Sequence, residues 1–260
     1  MTHDLALVRR LEDANLSAWP SETVLKDGDW VIRLTPGHPS RRINSFYALN
    51  PEDDANIEDR FANARAIFQR KTIPAFYRST PLTSPEIISF LNRTGWRCLD
   101  VTHVLTTTLE QPVHPERNTC EFEVSSHLTD PWLSSYVNCS GLTESARPAL
   151  ERILQRVHHP VRFIRILEDG SCIGTAAIIL DNEWAGLFEI AVHPSARGKG
   201  VGKQIIAASL VEAKAAGSSK AWLQVVEDNH PAYAIYKAFG FRYQYDYAYW
   251  QPADSVKDEA

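Results

Sequence analysis

The chain predicts an α/β fold arranged in two halves, on three observations. Short apolar stretches such as Trp30 to Leu34, Val161 to Leu167 and Cys172 to Leu180 alternate with segments whose apolar residues return every three or four positions. A helical pattern ending in glycine plus an aromatic and feeding a long strand occurs twice, at Gly95-Trp96 and Gly240-Phe241, which points to a divergent internal duplication. The 260 residues, 44% of them apolar, suffice for one large or two modest cores.

Taken in order, Asp4 to Asn15 reads as a helix running into Ala18-Trp19-Pro20. The turn Asp27-Gly28-Asp29 launches a strand at Trp30 to Leu34, whose partner, Arg42 to Leu49, lies across Pro36-Gly37-His38-Pro39. Ile57, Phe61, Ala64 and Phe68 share a helical face within Ile57 to Gln69, and Ala75 to Arg78 follows as a strand. Ser84 offers a cap oxygen and Pro85 a first-turn residue without an N–H for a helix carrying Ile87, Ile88 and Leu91. A threonine-rich strand, Val101 to Leu109, closes this half. The polar, proline-containing run Gln111 to Asn118 is the expected boundary, giving domains 1–115 and 116–260.

Beyond it, Trp132 to Asn138 and Thr143 to Val157, the latter capped by Thr143, read as helices. Strands are expected at Val161 to Leu167, Cys172 to Leu180 and Glu183 to Val192, joined by Glu168 to Ser171 and by Asp181-Asn182. A helix from Gly202 to Ala216 buries Ile205, Ile206, Leu210 and Val211, and a strand follows at Ala221 to Val226. The pattern ends with a helix at Ala232 to Phe239 and a strand at Arg242 to Trp250, where Tyr243, Tyr245, Tyr247 and Tyr249 alternate onto one face.

Lys and Arg number 27 against 32 Asp and Glu, a formal net charge of −5, so no overall basic field favours nucleic acid or an anionic membrane. The longest apolar runs fall short of a bilayer span, and Met1 to Leu5 lacks a basic region leading into an apolar core. A cytoplasmic protein is expected. Cys98, Cys120, Cys139 and Cys172 lack paired-ligand spacing, which argues against a disulfide scaffold and a zinc site, and Cys172 reads as a small buried hydrophobe. The histidines, including His158-His159, show no metal-ligand spacing, so no metal is expected.

The most informative segment is Val192-His193-Pro194-Ser195-Ala196-Arg197-Gly198-Lys199-Gly200-Val201-Gly202-Lys203, a strand exit followed by glycines and a helix start. First-turn amides of a helix lack intrahelical partners and carry the positive end of the macrodipole, so a glycine turn here can wrap a phosphate or pyrophosphate. Gly198, Gly200 and Gly202 miss the spacing of a dinucleotide fingerprint, and Gly202-Lys203-Gln204 fails that of a P-loop.

Arg197, Gly200 and Gly202 do fit R/Q-x-x-G-x-G/A, which resembles the acetyl-coenzyme A pyrophosphate loop of the GNAT superfamily of N-acyltransferases. Asn229 to Phe241 is similar to that family's second signature, N-x-x-A-x-x-x-Y-x-x-x-G-F, with every marked position filled. The resemblance covers roughly residues 160 to 250 and implies a mixed central sheet flanked by helices, splayed between two adjacent strands to accept acetyl-CoA. The first half, lacking any equivalent of the glycine loop, would be a degenerate copy.

The resemblance further implies transfer of an acetyl group from acetyl-CoA to a primary amine by direct attack in a ternary complex. Tyr236 stands where the family's tyrosine protonates the departing sulfur, and Asn229 where a residue contacts the pantetheine arm or caps the helix. Glu189, on the strand before the loop, is the candidate general base, alternation separating Glu189 and Ala191 from Ile190 and Val192. Val192 would bind the arm through its backbone, while Arg197, Gly198, Lys199, Gly200, Val201, Gly202 and Lys203 would hold the pyrophosphate. The acceptor, a small-molecule or peptide amine, would meet contacts drawn from Trp19, Trp30, Asp130 to Ser140 and the last tyrosine-rich strand, with Arg33, Arg41 and Arg42 available for a carboxylate-bearing amine. An acyl-CoA-binding regulatory module without turnover and a protein N-acetyltransferase are the alternatives, and a homodimer is left open.

Overall fold

The computed structural model describes residues 3–110 and 120–253. The Gln111 to Asn118 connector, and with it the expected boundary at 115/116, lies outside the described residues. In chain order the elements are α1 (Leu5–Ala18), β1 (Thr23–Asp27), β2 (Trp30–Leu34), β3 (Ser45–Ala48), α2 (Ile57–Arg70), β4 (Tyr77–Ser79), α3 (Pro85–Arg93) and β5 (Arg97–Thr108). There follow β6 (Glu121–Ser125), α4 (Asp130–Ser140), α5 (Arg147–Gln155), β7 (Val161–Glu168), β8 (Ser171–Asp181), β9 (Trp184–Val192), α6 (Val201–Ala215), β10 (Lys220–Val226), α7 (His230–Ala238) and β11 (Arg242–Gln251). Contacts divide the chain into two compact units, Met1–His103 with Gln244–Ala260, and Val104–Tyr243.

In the first unit β2 runs antiparallel to β1 and β3, β3 parallel to β4, and β4 antiparallel to β11. Period-two alternation sorts these strands into two unlike faces. Trp30, Phe46 and Tyr77 join Phe61, Phe90 and Trp96 in an aromatic core, with edge-on contacts such as Phe46–Phe61 at 5.1 Å and Phe61–Trp96 at 5.2 Å. The opposite face is polar and equally buried. On it lie Arg33, Ser45, Tyr47, Arg78, Tyr245, Tyr247 and Tyr249, all buried. Arg78 pairs in bidentate fashion with the buried Glu12 of α1, one bond at 3.0 Å, and the Tyr245 hydroxyl donates to the same carboxylate at 2.6 Å.

The second unit follows a similar plan: β8 is antiparallel to β7 and β9, and β9 parallel to β10, as β2 is to β1 and β3, and β3 to β4. Ile164, Ile166, Ile178, Leu187 and Leu223 pack against Ile205, Ile206 and Leu210 of α6. On the other face Trp132 of α4 stacks on Tyr136, meets Phe163 at 4.9 Å and donates its indole N–H to the Ile164 and Ala176 carbonyls.

Four elements depart from the sequence reading. Strands β1 and β6 carry mostly exposed side chains and so no apolar alternation to read. The segment Arg42 to Leu49 splits into a 3-10 turn, Arg41–Ile43, and β3, because the Asn44 side chain is consumed by Thr35 (backbone N 2.7 Å, backbone O 3.1 Å) and the His38 carbonyl (2.8 Å). The helix expected from Thr143 to Val157 is a 3-10 turn, Glu144–Ala146, followed by α5. Pro148, lacking an N–H, sits in the first turn of the true helix, and the Thr143 hydroxyl pairs with Ser145 Oγ at 2.9 Å instead of capping.

Candidate active site

The site is built where β9 changes character. At its start β9 pairs with β10 from Trp184↔Lys220 to Gly186↔Trp222, and there the ladder ends. A side chain at Gly186 would strike Phe188 at 2.6 Å and Trp222 at 3.0 Å, and these two rings meet edge-on at 5.3 Å where the pairing stops. On its other edge β9 pairs Phe188 with Ala177 and Ala191 with Thr175, three steps against two. The extra residue is a bulge at Glu189-Ile190, and Glu189 sits in the left-handed region at φ 50°. For a residue with a Cβ this conformation costs about 1–2 kcal/mol. Fully buried Thr175 donates its hydroxyl to the Glu189 carbonyl at 3.4 Å.

The bulge corrects the simple alternation along β9. Ala185 and Leu187 belong to the core beneath α6, and Ile190 and Val192 pack against that same core, so the faces exchange across Glu189. Strand pairing resumes at Ala191↔Thr175 and continues to Val192↔Gly174, and the His193 N–H donates to the Ile173 carbonyl at 2.9 Å.

After a 3-10 turn at Pro194–Ala196 the chain reaches the glycines. Gly198 (φ 75°) and Gly200 (φ 84°) are left-handed, and a Cβ on either would meet nothing within 4 Å. They are therefore required by backbone conformation, on a side of the loop open to an approaching group. Gly200 is the N-cap of α6 and has no side chain to satisfy the first turn, whose earliest closed bonds run from Lys203 (3.0 Å) and Gln204 (3.2 Å) to the Gly200 carbonyl. The amides of Val201 and Gly202 precede them, which suits an anionic group. Gly202 serves another purpose than approach: its Cβ would lie 3.0 Å from Ile235, so its smallness lets α6 pack on α7. Lys199 and Lys203 are exposed beside the turn, while the exposed Arg197 donates Nε to the Val192 carbonyl at 3.4 Å.

Asn229 caps α7, its side chain accepting from the Ala232 N–H at 3.2 Å. About two turns on, Tyr236 is 7% exposed and meets Phe241 edge-on at 6.0 Å; burial pushes its phenol up to about 12. Tyr233, on the preceding turn, is half-buried against the same core.

Several acceptor-site expectations are corrected. Trp30 packs inside the first unit's aromatic core, Trp19 is buried, and Arg33 is fully buried with Nε donating to Ser21 at 2.9 Å. Arg41 pairs with Asp100, and Arg42 covers the Trp19 ring at 5.4 Å. These groups satisfy the first unit's own interior and surface. A surface cleft of about 740 Å³, lined by residues including Ile57, Glu58, Pro85 and Arg93, contains none of the signature residues.

The family model for the acetyltransferase (GNAT) family matches residues 124–241, spanning the bulged strand, the glycine turn and α7. That match places a GNAT acetyltransferase domain at residues 124–241. It is 22% identical over 240 residues to the uncharacterized N-acetyltransferase YobR of Bacillus subtilis (strain 168), covering 90% of this chain and 94% of that protein. A streptothricin acetyltransferase of Streptomyces lavendulae is 31% identical over 83 residues, 31% of this chain and 44% of that protein. Among solved structures, a GCN5-related N-acetyltransferase from Kribbella flavida superposes with a TM-score of 0.72 at 16% identity, covering 94% of this chain and 95% of that one. A tandem GNAT protein from the clavulanic acid biosynthesis pathway gives 0.68 at 14% identity, covering 92% and 86%. The fold is thus the expected mixed α/β type with a splayed sheet flanked by helices, and it is shared with a tandem GNAT protein over 92% of this chain. Among the described residues, no helix is long and apolar enough to cross a membrane.

Proposed function

We propose that this GNAT domain transfers an acetyl group from acetyl-CoA to a primary amine by direct attack in a ternary complex. The observation that carries the reading is the end of the β9–β10 ladder at Gly186, followed by a bulge that re-aims Glu189 and by a left-handed glycine turn capping α6. Acetyl-CoA supplies the activated acyl group and a thiolate leaving group. Val201 and Gly202 amides, with Arg197, Gly198, Lys199, Gly200 and Lys203, hold the pyrophosphate, and the Val192 backbone pairs with the pantetheine arm as an added strand. A backbone N–H at this strand end polarises the thioester carbonyl.

Glu189 accepts the ammonium proton, directly or through water, so that the amine attacks neutral. Tyr236, kept protonated by burial, donates its phenolic proton to the departing sulfur. Asn229 fixes the start of the helix that presents Tyr236. The local similarity to a streptothricin acetyltransferase favours a small-molecule amine acceptor.

The test is amine-dependent thiol release across a panel of primary amines, with acetyl-CoA affinity measured separately by calorimetry. Release that falls in Tyr236→Phe and Glu189→Gln while affinity stays near wild type supports the assignment. Tight binding with no turnover on any amine or peptide would leave a regulatory module, and no binding would overturn the glycine-turn reading.

A further inference from the structure

Outside the acyl-transfer groups, the second unit brings two cysteines together. Cys139, in the last turn of α4, is buried, and Cys172, near the start of β8, is half-buried. Cys139 Sγ lies 4.0 Å from the Cys172 carbonyl oxygen, which makes the two cysteines neighbours. Cys172 Sγ lies 3.3 Å from the Gly174 carbonyl, with Ser135 and Arg165 close by and Arg165 Nε donating to Ser135 Oγ at 3.1 Å. The Cys139 sulfur also borders the backbone N–H of His193. The residues after Cys172 hold the end of β9: Ile173 accepts from His193, and Gly174 pairs with Val192.

This environment divides the two thiols chemically. The neighbouring Cys139 thiol favours the thiolate of Cys172 and, against the opposing effect of burial, Ser135 and Arg165 add to it. Cys139 is shifted the other way by Cys172 and by burial. A low-pKa, partly accessible thiol next to a second thiol is the arrangement in which oxidation ends in a disulfide.

We propose that Cys139 and Cys172 are an oxidisable dithiol, closed by hydrogen peroxide to a disulfide that weakens acetyl-CoA binding at the adjoining end of β9. The coupling to acetyl-CoA rests on the function proposed above. The Cys172 thiolate attacks one peroxide oxygen, the O–O bond breaks, and the departing hydroxide takes up a proton to leave as water. The resulting sulfenic sulfur is then attacked by Cys139, its S–O bond breaks, and hydroxide leaves with the Cys139 proton as a second water. Two thiols and one peroxide give one disulfide and two waters; the sulfurs together lose two electrons and the peroxide gains them. An S–S bond of about 2.05 Å would tie the end of α4 to the start of β8, directly beside the residues that pair with Val192 and His193.

The test uses the full chain with Cys98→Ser and Cys120→Ser, leaving only this pair. Peptide mass mapping after peroxide should find Cys139 joined to Cys172, reversibly with dithiothreitol, and the acetyl-CoA Kd should rise at least fivefold with the disulfide and return on reduction. Cys139→Ser should abolish the link and the affinity change; should that buried substitution unfold the chain, Cys172→Ser serves in its place. A sulfinic Cys172 beside a still-reduced Cys139 would overturn the dithiol, and a disulfide with unchanged affinity would overturn the coupling. If the reduced protein binds no acetyl-CoA, the acyl-donor reading fails and the coupling with it, whereas the mass map decides the dithiol by itself.

Discussion

Replacing Tyr236 with phenylalanine removes one hydroxyl and leaves the ring that packs on Phe241 at 6.0 Å. With the phenol pushed up to about 12, roughly one part in 10⁴ is ionised at pH 8, so Tyr236 acts as a proton donor throughout the neutral range. General acids contribute about 10²–10⁴-fold, and a thiolate, whose conjugate acid has a pKa of about 8.5, needs the proton less than an amide or alcohol leaving group would. Tyr236→Phe should therefore lower kcat by about 10²-fold, some 2.7 kcal/mol in activation free energy. Since the ring contact survives, stability should change by less than about 1 kcal/mol. Thiol release at saturating acetyl-CoA and amine, read from pH 7 to 9, is the assay, and the deficit should be the same at each pH. A kcat within threefold of wild type, or a deficit found only in acetyl-CoA affinity, would refute the proton-donor role and leave Tyr236 as a packing residue.

The other predictions concern strain, buried charge and pH. Glu189→Gln should lower amine-dependent turnover at least 10²-fold by the general-base argument, whereas Glu189→Gly, by relieving the φ 50° conformation, should lose activity without losing stability in urea melts. Gly200→Ala meets no neighbour but must hold a left-handed φ, so it should cost about 1–2 kcal/mol and weaken acetyl-CoA binding about tenfold or more in calorimetry. Glu12→Gln leaves the Arg78 guanidinium buried without its carboxylate, in a layer that also holds Arg33, and should destabilise by about 3–5 kcal/mol in denaturant titrations. The chain should also lose stability in alkali. Burial raises the phenols of Tyr47, Tyr77, Tyr236, Tyr245 and Tyr249 above their unfolded values. Their contribution is complete below about pH 10 and falls as the pH rises further, by about 1.4 kcal/mol per pH unit for each tyrosine ionised only in the unfolded chain. Urea melts between pH 8 and 11 check this.

Much of the fold was legible because its signals are local. Ser84 and Pro85 announced α3, Asn229 announced α7, and the apolar-rich runs of β7 and β8 announced buried strands. The elements that escaped, β1 and β6, owe their existence to pairing with a neighbour and expose most of their side chains. The tyrosines of β11 were read as one face of a strand; that Tyr245, Tyr247 and Tyr249 lie buried beside Arg78 and Arg33 depends on which helix covers that face. Cys139 and Cys172 were read as unrelated because 33 residues separate them and no spacing rule joins them.

For the candidate site, the sequence by itself determined the glycine turn, the helix that follows it, and the helix bearing Asn229 and Tyr236. Backbone permissiveness, capping and helical periodicity are properties of neighbouring residues, so they can be read in one dimension. Only the tertiary structure decided that β9 leaves β10 at Gly186, that a bulge turns Glu189 into a left-handed conformation no nearby glycine advertises, and that Gly202 is small for the sake of Ile235. Each of these is a relation between segments far apart in the chain, set by which ladder ends where and which side chains share a space, and the residues involved look ordinary until the partner is in place.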